Sequence, residues 1–176
     1  VKLKDTKKIY ELIVEVGKNF NLSNCGMHTM DIMRMESGFL HWGHDISPDE
    51  NQYEAGLNFA ISYKKNVKFI GRDTLLKIKD KKLNKRFVML CLKDSNPGEP
   101  LLLHDEPIYL DDRIIGVTTS GNFSFNYNKN ISFGYIKSDL SNEELFKENL
   151  YIEIEKNKYS AEILLQPLKQ TDFKNL

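Results

Sequence analysis

PIYLDDRIIGVTTSG, residues 107 to 121, sets two apolar-alternating runs on either side of Asp111-Asp112. Alternation with a period of two sends successive side chains to opposite faces of a strand, and turn-forming acidic residues between two such runs predict a β-hairpin. The texture continues on both sides. RFVMLCL (86–92) and ISFGYI (131–136) read as strands, and in YIEIEKNKYSAEILL (151–165) the pair Ile152 and Ile154, then Tyr159, Ala161, Ile163 and Leu165, form a further hairpin. Five or six short antiparallel strands within about 85 residues predict a small barrel or sandwich.

Toward the N-terminus the period changes to 3.6. Ile9, Leu12, Ile13 and Val16 follow the i, i+3, i+4, i+7 spacing of a helix with one buried face, started at Asp5 or Thr6 and stopped at Gly17. A second helix is expected over Met27 to Met35, with Met27, Met30 and Met33 as core. Gly38, Gly43 and Pro48 break both periods, so residues 37 to 52 read as a loop. NFAISYKK (58–65) is expected to be a short strand and RDTLLKIKDKK (72–82) a third helix with a charged tail. The Lys-rich stretch from Lys77 to Arg86 lacks interleaved aromatics, which makes it a solvated helix end and linker rather than a nucleic-acid patch. It divides the chain into a helical, loop-bearing part, 1–81, and a β part, 82–176.

Lys plus Arg (25) equal Asp plus Glu (25) over 176 residues, so no global field draws the chain to nucleic acid or an anionic membrane. The 40% apolar composition is enough for a real core. Two cysteines, Cys25 and Cys91, are too few for a disulfide framework and suit a reducing, cytoplasmic compartment. No run approaches the roughly 20 apolar residues of a membrane span, and the start lacks the pattern of a signal peptide. A chain that opens on Val and runs straight into a helix is expected to be a segment of something longer.

The chemistry-bearing residues concentrate in RMESGFLHWGHDISPDENQYEAGLNF, 34 to 59. His41 and His44, with Asp45 and with Cys25 and His28 upstream, superficially suit zinc. Yet the two His lie in a Gly-broken loop rather than at the fixed spacings of a metal site, and no metal is expected. Trp42, His41 and Tyr53 instead read as an aromatic wall with polar tips facing a ligand or a neighbouring domain. Asp31 and Arg34 have the spacing of a helical ion pair, and Glu54 reads first as a hydrogen-bonded structural carboxylate, with general acid-base work as the alternative. Arg72 stands at a helix start against the helix dipole; it is either reaching for a carboxylate or anionic ligand, or simply exposed. No phosphate-binding loop, nucleophile elbow or Cys-His pair occurs, so no catalytic residue is assigned.

The blocks GMHTMDIMRMESG, GHDISPDENQYEAGLNFAI, KFIGRDTLL, IIGVTTSGNFSFNYNKNISFGYI and LYIEIEKNKYSAEILLQPL occur in the order found in the folate-dependent aminomethyltransferases, the glycine cleavage T-protein family. The chain resembles the C-terminal part of that unit, and Trp42-Gly43 is most similar to the C-terminal region of dimethylglycine and sarcosine dehydrogenases. The resemblance implies an α+β fold: the C-terminal part of the T-protein-like folate-binding fold, with the helix- and loop-containing region followed by a small antiparallel β-barrel. It also implies tetrahydrofolate as the acceptor of a one-carbon unit, FAD in an N-terminal domain absent here, and the missing N-terminal half of the enzyme as a partner. The family's catalytic Asp lies upstream, so this segment alone is expected to be inactive. Met30 stands where the T-protein commonly carries Arg, which removes one candidate folate contact. Arg34, Glu36, Trp42, Tyr53, Glu54 and Arg72 match recurrent family positions and are expected to line the folate pocket or support it. A noncatalytic packing module within a larger flavoprotein is the competing expectation. An isolated fragment is expected to cover an apolar face by forming a homodimer.

Overall fold

Both faces of β1 (Arg86–Leu92) are covered, which is why RFVMLCL reads as an almost unbroken apolar run. In the computed structural model, which describes residues 1–64, 68–137, 139, 141, 145–146 and 149–168, Val88, Leu90 and Leu92 point into a barrel. Cys91, with Phe87 and Met89, packs outward against Ile32, Met35, Ile131 and Phe133. The other strands are β2 (Pro107–Leu110), β3 (Arg113–Ser124), β4 (Lys129–Ile136), β5 (Leu150–Ile154) and β6 (Asn157–Leu164).

Among the described residues these six strands close in the order β1-β4-β3-β2-β5-β6, all neighbouring pairs antiparallel, with β6 returning to β1. Closure leaves no free sheet edge. The Asp111-Asp112 turn joins β2 to β3, with Asp111 in the left-handed region at φ 51°, and Glu155-Lys156 turns β5 into β6 with φ 50° and 68°. Ile108, Leu110, Ile115, Ile136, Leu150, Ile152 and Ile154 fill the interior together with the inward residues of β1.

The β3–β4 seam runs unusually close. Gly116 pairs with Ile136 and Gly134 with Thr118. A Cβ at Gly116 would collide with the Tyr135 carbonyl oxygen, and one at Gly134 would lie 2.5 Å from the Val117 carbonyl oxygen. The same seam contains a register shift between Thr118 and Ser120, so Thr119 is an extra residue in β3. A bulge of this kind re-aims side chains locally.

The chain forms two compact units, Val1–Met30 and Asp31–Leu176. Helix α1 (Thr6–Gly17) follows the expected spacing and stops at Gly17. Its apolar stripe is nevertheless uncovered: Leu12, Ile13 and Val16 are each more than half exposed. Residues 1–30 hold too little other chain to bury it; Leu22, whose N–H donates to the Gly17 carbonyl at 3.1 Å, folds back onto the helix end only.

Helix α2 (Met27–Glu36) corrects the expected methionine core. Met27, Met30 and Met33 are exposed, and the buried positions are Ile32 and Met35, which pack on the outer wall of β1 and β4, and Glu36, which meets the end of β3. The expected strand at 58–65 is also absent over its described residues: Asn58–Ala60 form a 3₁₀ turn, and Lys65 lies outside the described residues. Helix α3 spans Arg72–Ile78 behind Gly71, which takes φ 88°.

Candidate functional site

The bulge in β3 builds the centre of the site. In a regular strand Thr119 and Ser120 would point to opposite faces; here both hydroxyls donate to Oδ1 of Asp45, at 2.6 and 2.7 Å. Oδ2 of Asp45 accepts from Arg34 Nη1 at 2.6 Å and from the His41 backbone N–H at 2.8 Å. The carboxylate is fully buried and all four of its bonds come from different residues. Arg34 is equally committed: Nε donates to Asp31 at 2.7 Å, Nη1 also to the Phe39 carbonyl at 3.1 Å, and Nη2 to Ser120 Oγ at 2.8 Å. Its guanidinium lies 5.7 Å from the centre of the Phe133 ring. A buried ion pair repays its desolvation only when the remaining donors and acceptors are filled, as they are here.

Glu36, two residues further along at the end of α2, makes a second tie. It accepts from Ser124 Oγ at 2.6 Å and from Asn126 Nδ2 at 3.0 and 3.2 Å. These two networks fix the end of α2 and the start of the 37–52 loop against β3. Arg34 and Glu36 are therefore brought together as bracing, with no donor or acceptor turned toward an open surface.

The next tie is Ser47-x-x-Glu50. Glu50 accepts from the Ser47 N–H at 2.9 Å and its hydroxyl at 2.7 Å, and it pairs with Lys85. Burial pulls the Glu50 pKa up, but the bonds from Lys85 and Ser47 outweigh it and hold the carboxyl below its ordinary range. Glu54 is half-buried; its carboxylate accepts from the Asn51 N–H at 3.2 Å and its own carbonyl accepts from the Phe87 N–H at 2.7 Å. That is a structural role for the residue the sequence left open.

Tyr53, Tyr63 and Arg72 form a separate cluster. The two phenols share a 2.5 Å hydrogen bond, and the Arg72 guanidinium lies 6.0 Å from the Tyr63 ring centre. Shielding from water, then the bond to Tyr63, pushes the Tyr53 phenol up to about 12. Arg72 also approaches Asp73 at 3.7 Å, so it reaches a local carboxylate rather than standing bare. Trp42 is 65% exposed and lines a shallow cleft of about 530 Å³ with Pro48, Asn51, Gln52, Ile70 and Thr74. Tyr53 and Glu54 do not line this cleft, and Arg34 and Glu36 belong to the bracing of the loop. His41 and His44 stack with ring centres 4.5 Å apart, and among the described residues no group of three or more His, Cys, Asp or Glu is placed to hold a metal ion.

The loop also walls a cleft of about 450 Å³ against the barrel. His44, Asp45, Ser47, Glu50 and Lys85 form one side, and Ile114, Val117, Thr119, Tyr135 and Lys137 the other. Asp45, weighed in the sequence only as a superficial zinc ligand, organises this region together with residues that sequence reasoning did not nominate: Glu50, Thr119, Ser120, Ser124 and Tyr135. Ser47 and Glu50 had a legible signal in their capping-box spacing.

A closed six-stranded antiparallel barrel, preceded by helices and a pinned loop, is the fold of a T-protein-type aminomethyltransferase. The solved glycine cleavage system aminomethyltransferase T of Bartonella henselae shares it, with a TM-score of 0.76 at 20% identity over 91% of this chain and 43% of that one. In sequence, the GCVT N-terminal domain matches residues 1–65 and the glycine cleavage T-protein C-terminal barrel domain residues 85–169. Together they take up most of the chain, and the chain belongs to the glycine cleavage T-protein family. It is 31% identical to the mitochondrial dimethylglycine dehydrogenase of Homo sapiens over 96% of its own length, and 35% identical to the aminomethyltransferase of Symbiobacterium thermophilum over 77%. It spans 19% of the first relative and 35% of the second.

Proposed function

We propose that this chain is the folate-binding, aminomethyltransferase-like segment of a one-carbon enzyme, acting in glycine cleavage or in demethylation of dimethylglycine or sarcosine. Tetrahydrofolate would supply the nitrogen that accepts the one-carbon unit. In this reading Trp42 is the exposed wall, the half-buried Tyr53 and Arg72 stand in the neighbouring cluster with Tyr63, and Arg34, Glu36 and Glu54 brace the loop. The observation that carries it is Trp42: a large indole left in water on a loop whose root is fixed by the buried Asp45 bonds. Exposed aromatic surface on a rigid support suits a flat heteroaromatic ligand, and the cleft beside it adds the amides of Asn51 and Gln52 for polar edges. FAD belongs to the proposal only for a polypeptide of dehydrogenase length.

The proposal further takes residues 1–81 as part of the folate-binding domain and 82–176 as the barrel domain, working with the remainder of a longer enzyme. Among the described residues no helix is long and apolar enough to cross a membrane, and the balanced charge favours no nucleic-acid partner. The cytoplasm is the proposed compartment, although the dimethylglycine dehydrogenase relative is mitochondrial.

The test is calorimetric titration of tetrahydrofolate into the natural polypeptide that carries this chain. Saturable binding is expected, weakened about tenfold or more in Trp42→Ala through loss of a stacking face. Absence of binding in that polypeptide would sink the reading. The complete internal satisfaction of Arg34 and Glu36 favours a second reading, a noncatalytic packing module. Unchanged folate affinity in Trp42→Ala and Arg72→Gln, with looser assembly of the polypeptide, would select it.

A further inference from the structure

Trp42 lies in a turn, residues 41–46, that closes on itself. The His41 carbonyl accepts from the His44 and Asp45 N–H groups at 3.2 and 2.8 Å, and the Gly43 N–H donates to the Ile46 carbonyl at 2.8 Å. The His41 N–H returns to Asp45 Oδ2, also at 2.8 Å. Gly43 takes φ 90°, in the region that favours glycine. The indole between these anchors is 65% exposed, so its place is set by the backbone of the turn rather than by packing.

What orients the turn is its attachment to the barrel. Beside Asp45 the turn and β3 stand on opposite sides of the cleft of about 450 Å³, and the Asp45 carboxylate reaches β3 through hydrogen bonds. The two donors on β3 are unequal. Ser120 is 6% exposed and also accepts from Arg34, so its hydroxyl belongs to the buried ion pair. Thr119 is half-buried, lines the cleft and donates to Asp45 Oδ1 at 2.6 Å. It reaches Asp45 only as the extra residue of the β3 bulge, since an unbroken ladder would turn it away from the side that Ser120 faces.

We propose that Thr119 is a positioning residue for the Trp42 face. Its hydroxyl holds the Asp45 carboxylate, and through it the 41–46 turn, in the one orientation that presents the indole to the ligand. The barrel part of the chain thereby shapes a ligand face carried by the helical part. The inference rests on the proposed reading of Trp42 as that face, and the experiment separates the two.

The natural polypeptide is labelled with 5-fluorotryptophan and followed by fluorine NMR. Trp42 is the one tryptophan of residues 1–176, and its resonance is the one lost in Trp42→Phe. A single narrow Trp42 resonance is expected in the parent and in Thr119→Ser, which keeps the hydroxyl. Thr119→Val, which keeps the shape and suits a strand, and Thr119→Ala should each shift, broaden or split it while the protein remains folded. Tetrahydrofolate should bind about tenfold more weakly to those two variants and as well to Thr119→Ser as to the parent, the size expected for one hydrogen bond to a charged group. A merely structural threonine would lower the melting temperature and leave the resonance of the folded protein in place. A Trp42 resonance unchanged in both variants therefore overturns the proposal, even where folate binds and Trp42→Ala weakens it. A changed resonance in a polypeptide that binds no tetrahydrofolate would support the positioning role and remove the folate reading alone.

Discussion

Asp45 is bonded as fully as Arg34, a charged residue the sequence did nominate. Its side chain is fully buried and bonded to Arg34, His41, Thr119 and Ser120, so removal of one partner strands a charge. Arg34→Met and Asp45→Leu are each expected to cost about 3–5 kcal/mol, because each leaves the other ion uncompensated. The double variant should cost less than their sum by more than about 1 kcal/mol, measured by urea unfolding of all four proteins; strict additivity would show that the pair is not coupled. Little of this was legible. Asp31 and Arg34 had a helical spacing to betray them, whereas Asp45 meets Thr119 and Ser120 some 75 positions away, and only a bulge aims both hydroxyls at it. A local pattern cannot report a contact made by a register shift in a distant strand.

Cys91 gives the alkaline edge. Burial, then the neighbouring Glu162, pushes its thiol from 9.0 up to about 11, against a smaller opposing pull from Lys129. The folded state thus holds a proton that the unfolded chain releases first. The stability this contributes is complete below pH 9 and is lost as pH rises through 11, in the same direction as the raised Tyr53 phenol. Unfolding midpoints should therefore fall over that window, and less so in Cys91→Ala once its cavity cost at neutral pH is subtracted. A thiol reagent at neutral pH should modify the exposed Cys25 at once and Cys91 only on unfolding.

The strands were the most legible elements, for a reason visible in β5 and β6. Leu150, Ile152 and Ile154 alternate strictly with half-buried residues, and the Glu155-Lys156 turn between two such runs needs no distant information. The helices were legible as helices but not in what they bury. Met27, Met30 and Met33 share a spacing that fits a buried face, yet the residues of α2 that are buried are Ile32 and Met35 against β1 and β4 and Glu36 against the end of β3. Choice of face depends on the surface opposite, and here a buried carboxylate that accepts three hydrogen bonds from Ser124 and Asn126 sets it. The β3–β4 seam offers the sharper test. Gly134→Ala would place a methyl group 2.5 Å from the Val117 carbonyl oxygen and 3.0 Å from Ile108. Backbone on a closed barrel cannot retreat far, so a loss of about 1–3 kcal/mol is expected. An unchanged melting temperature would mean that the seam opens without cost.

The exposed stripe of α1 determines how the polypeptide behaves by itself. Leu12, Ile13, Val16, Phe20 and Leu22 surround one shallow apolar hollow, and each is more than half exposed. Clustered apolar surface of this kind seeks cover rather than remaining in water. Relatives in which this chain spans 19% to 35% of the length have ample further sequence with which to supply that cover. Residues 1–176 expressed alone should therefore associate, with dimers or larger species rising with concentration in light scattering. Leu12→Glu combined with Val16→Glu should shift them toward monomer, because charges on the stripe would have to be desolvated to associate. The barrel is the internal control: its core lies inside a closed sheet, so the same two changes should leave the near-ultraviolet signal of its aromatic residues intact. A 1–176 polypeptide that stays monomeric over the whole concentration range would show that the stripe is covered from within the chain.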